Sequence, residues 1–212
     1  MRVVKESEER KNEILDVAEQ LFSTKGFDNT STTDILNEIG IARGTLYYHF
    51  KTKEEILDAM IDRMAGRLVE KAKAIVSEKD IPVLQRLAKM ILALRGDGNN
   101  FSHELLEQVH KPQNALMHQK MQKCMLSEIS PLITALIQEG ILQGICQTAY
   151  PEEVAEMTFL YANTVFDDLM EHSEEEKQRK IAAFIYNLER LLNMEQDSMK
   201  ATIISIFQGN DK

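Results

Sequence analysis

Apolar residues recur at helical spacing along almost the whole chain, and the breaks between the runs define the elements. Ile14, Leu15, Ala18, Leu21 and Phe22 share one face of a first helix over 7–25. Gly26 follows directly, at the position where a left-handed residue stops a helix. Ser31 then reads as an N-cap, with Asp34 three residues on as a capping-box partner. Ile35, Leu36 and Ile39 carry a short second helix that Gly40 ends, and a third runs from Arg43 to about Phe50. Thr52, with Glu55 at the capping-box position, opens a fourth helix reaching about Lys79. Residues 81–95 are strongly amphipathic, 96–100 (GDGNN) form a turn, and 102–110 form a short helix before Pro112. Residues 113–139 form a long Met-rich helix that Pro131 is expected to kink or divide. A connector over 140–150 precedes Pro151, which suits the first turn of a helix reaching about Glu171. Another helix runs from Glu174 to about Met194, and 198–207 add a short tail helix.

The pattern predicts an all-α chain: a three-helix helix-turn-helix domain over 1–53 and a larger helical domain over 54–212. Composition agrees, with 4 Pro and 9 Gly among 212 residues and no Trp. A hydrophobic content of 43% suffices for a sizeable core. No apolar run reaches the roughly 18 residues of a membrane span. The start MRVVKESEERK lacks an apolar secretory segment, so a cytoplasmic protein with no membrane partner is expected. Cys124 and Cys146 are too few for a disulfide framework and read as buried free thiols.

Charge changes the picture at one place. The chain carries a net charge of -9, yet residues 40–53 (GIARGTLYYHFKTK) hold Arg43, His49, Lys51 and Lys53 and no Asp or Glu. Residues 1–53 are nearly balanced, with 8 basic and 9 acidic residues, whereas 54–212 hold 17 and 25. A surface that meets a polyanion is therefore confined to the N-terminal part.

That block coincides with a second pattern. Counted from Thr32, Ile35, Ile39, Ile41 and Leu46 fall at positions four, eight, ten and fifteen, with Gly40 at the sharp turn. This spacing lets two short helices pack steeply, the glycine supplying positive φ. In such a unit the second helix enters the major groove and its first residues reach base edges. Arg43 can bond guanine or phosphate, Gly44 permits close backbone approach, and Thr45 offers a hydroxyl and a methyl. Tyr47, Tyr48 and His49 can donate to phosphate oxygens, as can Lys53 and, from the preceding helix, Thr32 and Thr33. Any three-helix bundle produces similar periodicity. The acid-free block is what favours double-stranded DNA as the partner.

From Ile14 to Leu57, with its core G-T-L-Y-Y-H-F-x-x-K-E-E, the chain resembles the DNA-binding domain of the TetR/AcrR family of bacterial repressors. Arg43 stands where many members carry a small polar residue, and Leu36 where alanine is commoner. The resemblance implies a homodimer on a near-palindromic operator, a ligand pocket in the C-terminal helices, and release from DNA when an unknown small-molecule effector binds.

In the C-terminal half, Val154, Met157, Tyr161, Val165 and Leu169, followed by Ile181, Phe184, Ile185, Leu188 and Leu192, make two amphipathic helices. They are ordinary core stripes, a dimer interface of the kind the resemblance implies, or both. Met117, Met121 and Met125 can adapt to an irregular ligand, with Phe101, Leu105, Tyr161 and Phe166 closing an apolar cavity. Its polar candidates are Glu107, His110, Glu128, Asn163 and Asp167, and a buried carboxylate there would favour a cationic ligand. His103, His110, His118 and Cys124 lack metal-site spacing, so no cofactor is expected. Neither a nucleophile elbow nor a phosphate loop is present, and Asp167 and Asp168 point to different helical faces, so no catalytic residue is assigned. The chain reads as a ligand-responsive dimeric repressor released by a small lipophilic effector. The alternatives are a regulator of the same fold with no such effector, and a helical enzyme or carrier.

Overall fold

Nine helices account for the regular structure among the described residues, which in this computed structural model are 2–94, 115–167 and 173–209. In chain order they are α1 (Arg2–Lys25), α2 (Thr32–Ile39), α3 (Arg43–His49), α4 (Lys53–Ser77), α5 (Val83–Leu94), α6 (Ala115–Leu142), α7 (Pro151–Asp167), α8 (Glu174–Leu191) and α9 (Ser198–Gly209). The turn and helix expected over 96–110 lie outside the described residues, as do Phe101, Leu105, Glu107, His110 and Leu169 and the side chains of Val165, Phe166 and Asp167.

The chain divides into two compact units. The first takes in the described residues up to 67 and 115–124; the second takes in 68–94 and the described residues from 125 onward. The division therefore falls inside α4 and again inside α6, rather than at 53/54 as the motif boundary suggests. Pattern reading places a boundary where one motif ends, whereas compactness follows which residues share a core.

In the first unit, Ile14, Leu15, Ala18 and Phe22 of α1 meet Ile35 of α2, Leu46 of α3 and Ile56, Leu57, Met60, Ile61 and Met64 of α4. Burying residues of this size contributes roughly 1.5–3 kcal/mol each. Arg63 ties α4 to α1, bonding Asp16 at 2.7 Å and Glu19 at 2.8 Å, and Lys120 pairs with Asp58. Met117 lies in this core, with Met121 and Cys124 half-buried against it. The expectation that Met117 and Met121 line a ligand cavity is therefore corrected. Their stripe is occupied by the neighbours of α1–α4.

In the second unit, α5 packs on α7 and α9, and α8 on α7 and α9. The side chain of Arg86 is almost wholly buried, at 1% exposure. It donates to the carbonyls of Ile81 (2.9 Å) and Val76 (3.0 Å) and to both carboxylate oxygens of Glu139, one at 3.1 Å. Lys79 reaches the same carboxylate at 2.6 Å. First Arg86 and then Lys79 hold Glu139 down to a pKa of about 2. The buried carboxylate of Glu189 accepts from the backbone N–H groups of Asp197 and Met199, at 3.0 and 2.9 Å, and so caps the start of α9.

Pro131 does not divide α6, which runs unbroken from Ala115 to Leu142. The lost backbone bond and ring clash cost about 3 kcal/mol, which is offset by burial of Ile129 and Ile133 on either side. Residues 140–142 join the helix instead of the connector. An 18-residue window of α6 has a mean hydropathy of 1.2, long and apolar enough by composition to cross a membrane, and 44% of that window is buried in the protein. Cys146 is buried and Cys124 half-buried, and neither is in a disulfide. Burial pushes the Cys146 thiol up.

Candidate nucleic-acid interface

Three local devices build the α2–α3 unit. Gly26 closes α1 at φ 86°, its N–H donating to the Phe22 carbonyl at 3.0 Å. Ser31 then caps α2 in a full capping box: its hydroxyl accepts from the Asp34 N–H (3.1 Å) while the Asp34 carboxylate accepts from the Ser31 N–H (2.8 Å). These Ser31 bonds, helped by Lys25, lower the Asp34 pKa from 3.8 to about 2. Gly40 ends α2 at φ 73°, its N–H bonding the Leu36 carbonyl at 2.9 Å. A β-carbon at Gly40 would touch nothing, so the backbone angle alone calls for glycine there.

The apolar positions of the motif turn inward as its spacing predicts. Ile35 and Leu46 are fully buried, Phe50 is buried, and Ile39 and Ile41 pack half-buried against the same core. What remains outside on α3 is polar. Arg43 and Gly44 are exposed, Thr45, Tyr47 and His49 half-buried, and Tyr48 stands out at 74% exposure. On α2, Thr33 is exposed and Thr32 half-buried.

The two adjacent tyrosines differ. Tyr48 points to solvent, its ring meeting His49 edge-on at 5.0 Å. Tyr47 lies under the Arg43 guanidinium, 5.3 Å from Cζ to ring centroid. Its phenol is pulled below the usual pKa of 10.0, first by the Thr32 hydroxyl and then by Arg43. Sequence chemistry treats both as phosphate donors, but only Tyr48 presents an unencumbered hydroxyl.

Lys53 also has a contact within the chain. Its ammonium donates to the Phe27 carbonyl at 2.7 Å and lies 4.1 Å over the Phe27 ring. It braces the start of α4 against the α1–α2 connection, with donors left over. The capping box at α4 is rearranged too. Thr52 accepts from the Glu55 N–H at 3.1 Å, but the Glu55 carboxylate goes to the Lys51 N–H at 2.6 Å. Lys51, to which the motif assigned no task, bonds the Tyr47 carbonyl at 2.5 Å and closes the last turn of α3. Its signal was present in the acid-free block.

Gly44 is the most telling position. Glycine inside a helix costs about 0.5–1 kcal/mol relative to alanine. Beyond its chain neighbours and the backbone of its own helix, no atom lies within 4 Å of where its β-carbon would be. The missing side chain therefore serves nothing within the chain and leaves the backbone open to an outside surface.

The candidate residues of the second unit separate into two groups. Val154, Phe184, Ile185, Leu188 and Leu192 are buried within the chain and Ile181 is half-buried, so these are core positions before any partner arrives. Met157 (54%), Tyr161 (42%) and Leu191 are exposed, together with Leu160 and Tyr186, which the pattern missed because each sits beside a buried stripe. Tyr161 stacks on Phe184 with centroids 5.5 Å apart. A groove of about 460 Å³ between α7 and α8 is lined by Met157, Thr158, Tyr161, Phe184, Arg190 and Leu191, among others. Met125 is buried and Asn163 half-buried. Glu128 is exposed rather than buried in a cavity, which removes it as a reason to favour a cationic ligand.

Residues 14–60 match the family model of bacterial regulatory proteins, tetR family, and residues 98–186 match that of the tetracyclin repressor-like C-terminal domain. The HTH-type transcriptional regulator TtgR of Pseudomonas putida is 28% identical over 119 residues, which are 56% of this chain and 54% of that protein. The HTH-type transcriptional repressor KstR2 of Mycobacterium tuberculosis is 33% identical over 92 residues, 43% of this chain and 46% of that one. The chain thus spans about half the length of these curated relatives. Among solved structures, the transcriptional regulator FadR of Bacillus subtilis in complex with stearoyl-CoA superposes with a TM-score of 0.59 at 23% identity, covering 85% of this chain and 96% of that one. At that identity the likeness speaks to fold alone.

Proposed function

Because the chain belongs to the TetR family of bacterial regulatory proteins, we propose that it is a dimeric, DNA-binding transcriptional repressor that releases its operator when a small lipophilic effector binds. The outward face of α3 carries this reading. Arg43, Gly44 and Tyr48 stand exposed on a helix whose Leu46 side is locked into the core. Arg43 reads a base edge, with Gly44 and Thr45 against the groove. Tyr48, His49, Thr32 and Thr33 contact phosphates and set the register. Lys53 adds a phosphate contact while holding α4 in place.

Dimerisation follows from the exposed apolar residues of α7 and α8. Met157, Leu160, Tyr161, Tyr186 and Leu191 form a face that water covers poorly and that a second copy would bury. Two copies present two α3 helices to half-sites about one DNA turn apart, and so a seven-residue helix gains affinity. The B. subtilis FadR structure, of the same fold, holds stearoyl-CoA, a ligand of the lipophilic kind proposed here. Helix α4 is shared by the two units, which makes it the element that transmits an effector's presence to α3. How far the switch moves depends on the effector's differential affinity for the two states.

Arg43→Ala and Tyr48→Phe test the division of labour. Arg43→Ala should relax base preference at one position per half-site, and Tyr48→Phe should weaken binding to all sequences alike. An unchanged preferred sequence in Arg43→Ala would make Arg43 a phosphate contact.

A further inference from the structure

Arg43 is exposed, and among the described residues no carboxylate pairs with it. A guanidinium on a flexible stem in that setting samples many orientations, and ordering it on DNA weakens binding. Its surroundings restrict it. Tyr47, one turn further along α3, places its ring 5.3 Å from the Arg43 Cζ. The Tyr47 side chain is itself held: it is half-buried and its hydroxyl lies beside the Thr32 hydroxyl, while Lys51 Nζ bonds its backbone carbonyl at 2.5 Å and steadies the last turn of α3. Gly44 adds no side chain that would compete for the space next to Arg43.

We propose that Tyr47 is a positioning residue for base reading: its ring and hydroxyl hold the Arg43 guanidinium in one orientation on the outer face of α3, so discrimination at the base read by Arg43 depends on Tyr47. The proposal rests on the reading of Arg43 as a base contact. It gives the two neighbouring tyrosines different tasks. Tyr48 meets the phosphate backbone, and Tyr47 acts through Arg43 without itself reading sequence. Thr32 gains a second task, since its hydroxyl ties the start of α2 to the ring that orients Arg43. A side chain oriented before binding raises discrimination because less order has to be imposed in the complex. An arginine stacked on a ring keeps its N–H edge free for two parallel bonds to guanine.

The test is selection on randomised half-sites with the full-length chain, comparing the unaltered protein, Arg43→Ala, Tyr47→Phe, Tyr47→Leu and the Arg43→Ala/Tyr47→Phe double variant. Arg43→Ala should flatten preference at one position per half-site. Tyr47→Phe, which keeps the ring and loses the hydroxyl, should weaken preference at that same position by about two- to three-fold, and Tyr47→Leu by about five-fold. The dependence of affinity on salt should stay unchanged in both Tyr47 variants, and the double variant should match Arg43→Ala alone. Thr32→Val, which removes the hydroxyl beside the phenol, should move the same position in the same direction and covers the case in which Tyr47→Leu folds poorly. If Tyr47→Phe instead weakens all sequences alike and leaves preference at that position intact, Tyr47 is a phosphate contact and the proposal is wrong. If Arg43→Ala flattens a position that the Tyr47 variants leave intact, only the positioning role fails. If Arg43→Ala changes no base preference, the base-reading role falls, and the positioning role with it.

Discussion

The α2–α3 pair and the α7–α8 pair are each two helices with one apolar side in a core, but they turn opposite kinds of surface outward. On α2–α3 the inward positions take up almost all the apolar residues, Ile35 and Leu46 above all, and Arg43, Gly44, Thr33 and Tyr48 are left outside. On α7–α8 the apolar residues continue around the helices. Val154, Phe184 and Leu188 are buried, while Met157, Leu160, Tyr161, Tyr186 and Leu191 stay exposed. A polar outer face gains by meeting a hydrogen-bonding, charged partner, and an apolar one gains only by being covered. In the proposed function, DNA meets the first pair and a second copy of the chain meets the second.

The strongest way to probe the contrast is through what holds each region together. Glu139→Gln leaves the buried Arg86 guanidinium without its counter-charge and should cost about 3–5 kcal/mol in chemical denaturation of the second unit. Next comes the exposed face. Leu191→Glu should leave helicity intact while abolishing dimerisation in sedimentation and lowering operator affinity at least about 100-fold, near 2.7 kcal/mol. Leu188→Glu, three residues away and buried, should instead unfold the chain. If both variants behave alike, the distinction between core stripe and interface is wrong.

Smaller effects belong to the reading unit. Ser31→Ala removes the α2 cap and should cost about 1 kcal/mol. Acid provides a matched test of both regions. Asp34 and Glu139 each have a folded pKa near 2, below their ordinary values of 3.8 and 4.5. Their contributions are therefore complete above the ordinary values and are lost as pH falls from about 4.5 towards about 2. Thermal melts across that range should show falling stability, and Glu139→Gln should flatten the trend.

Legibility followed the same divide. The helix-turn-helix could be read residue by residue because glycine stops, a capping box and strict apolar spacing all reinforce one another over a short stretch. The intrachain partners of Lys53 (Phe27) and Tyr47 (Thr32 and Arg43) were not legible there, since they depend on folding that spacing does not encode. In the C-terminal half, periodicity marked Leu188 and Met157 as apolar equals, although one is core and the other surface. Met117 and Met121 looked like ligand contacts because flexible apolar side chains suit a cavity and a core equally. Pro131 looked like a break because local propensity cannot weigh the burial of Ile129 and Ile133.

The central claim is that the outer face of α3 reads DNA sequence as part of a symmetric dimer. Selection from a fully random duplex library with the full-length protein tests it most directly. The account predicts enrichment of a near-palindromic site whose half-sites lie about one helical turn apart. Recovery of no enriched sequence, or of a single unpaired half-site bound by a monomer, would contradict it.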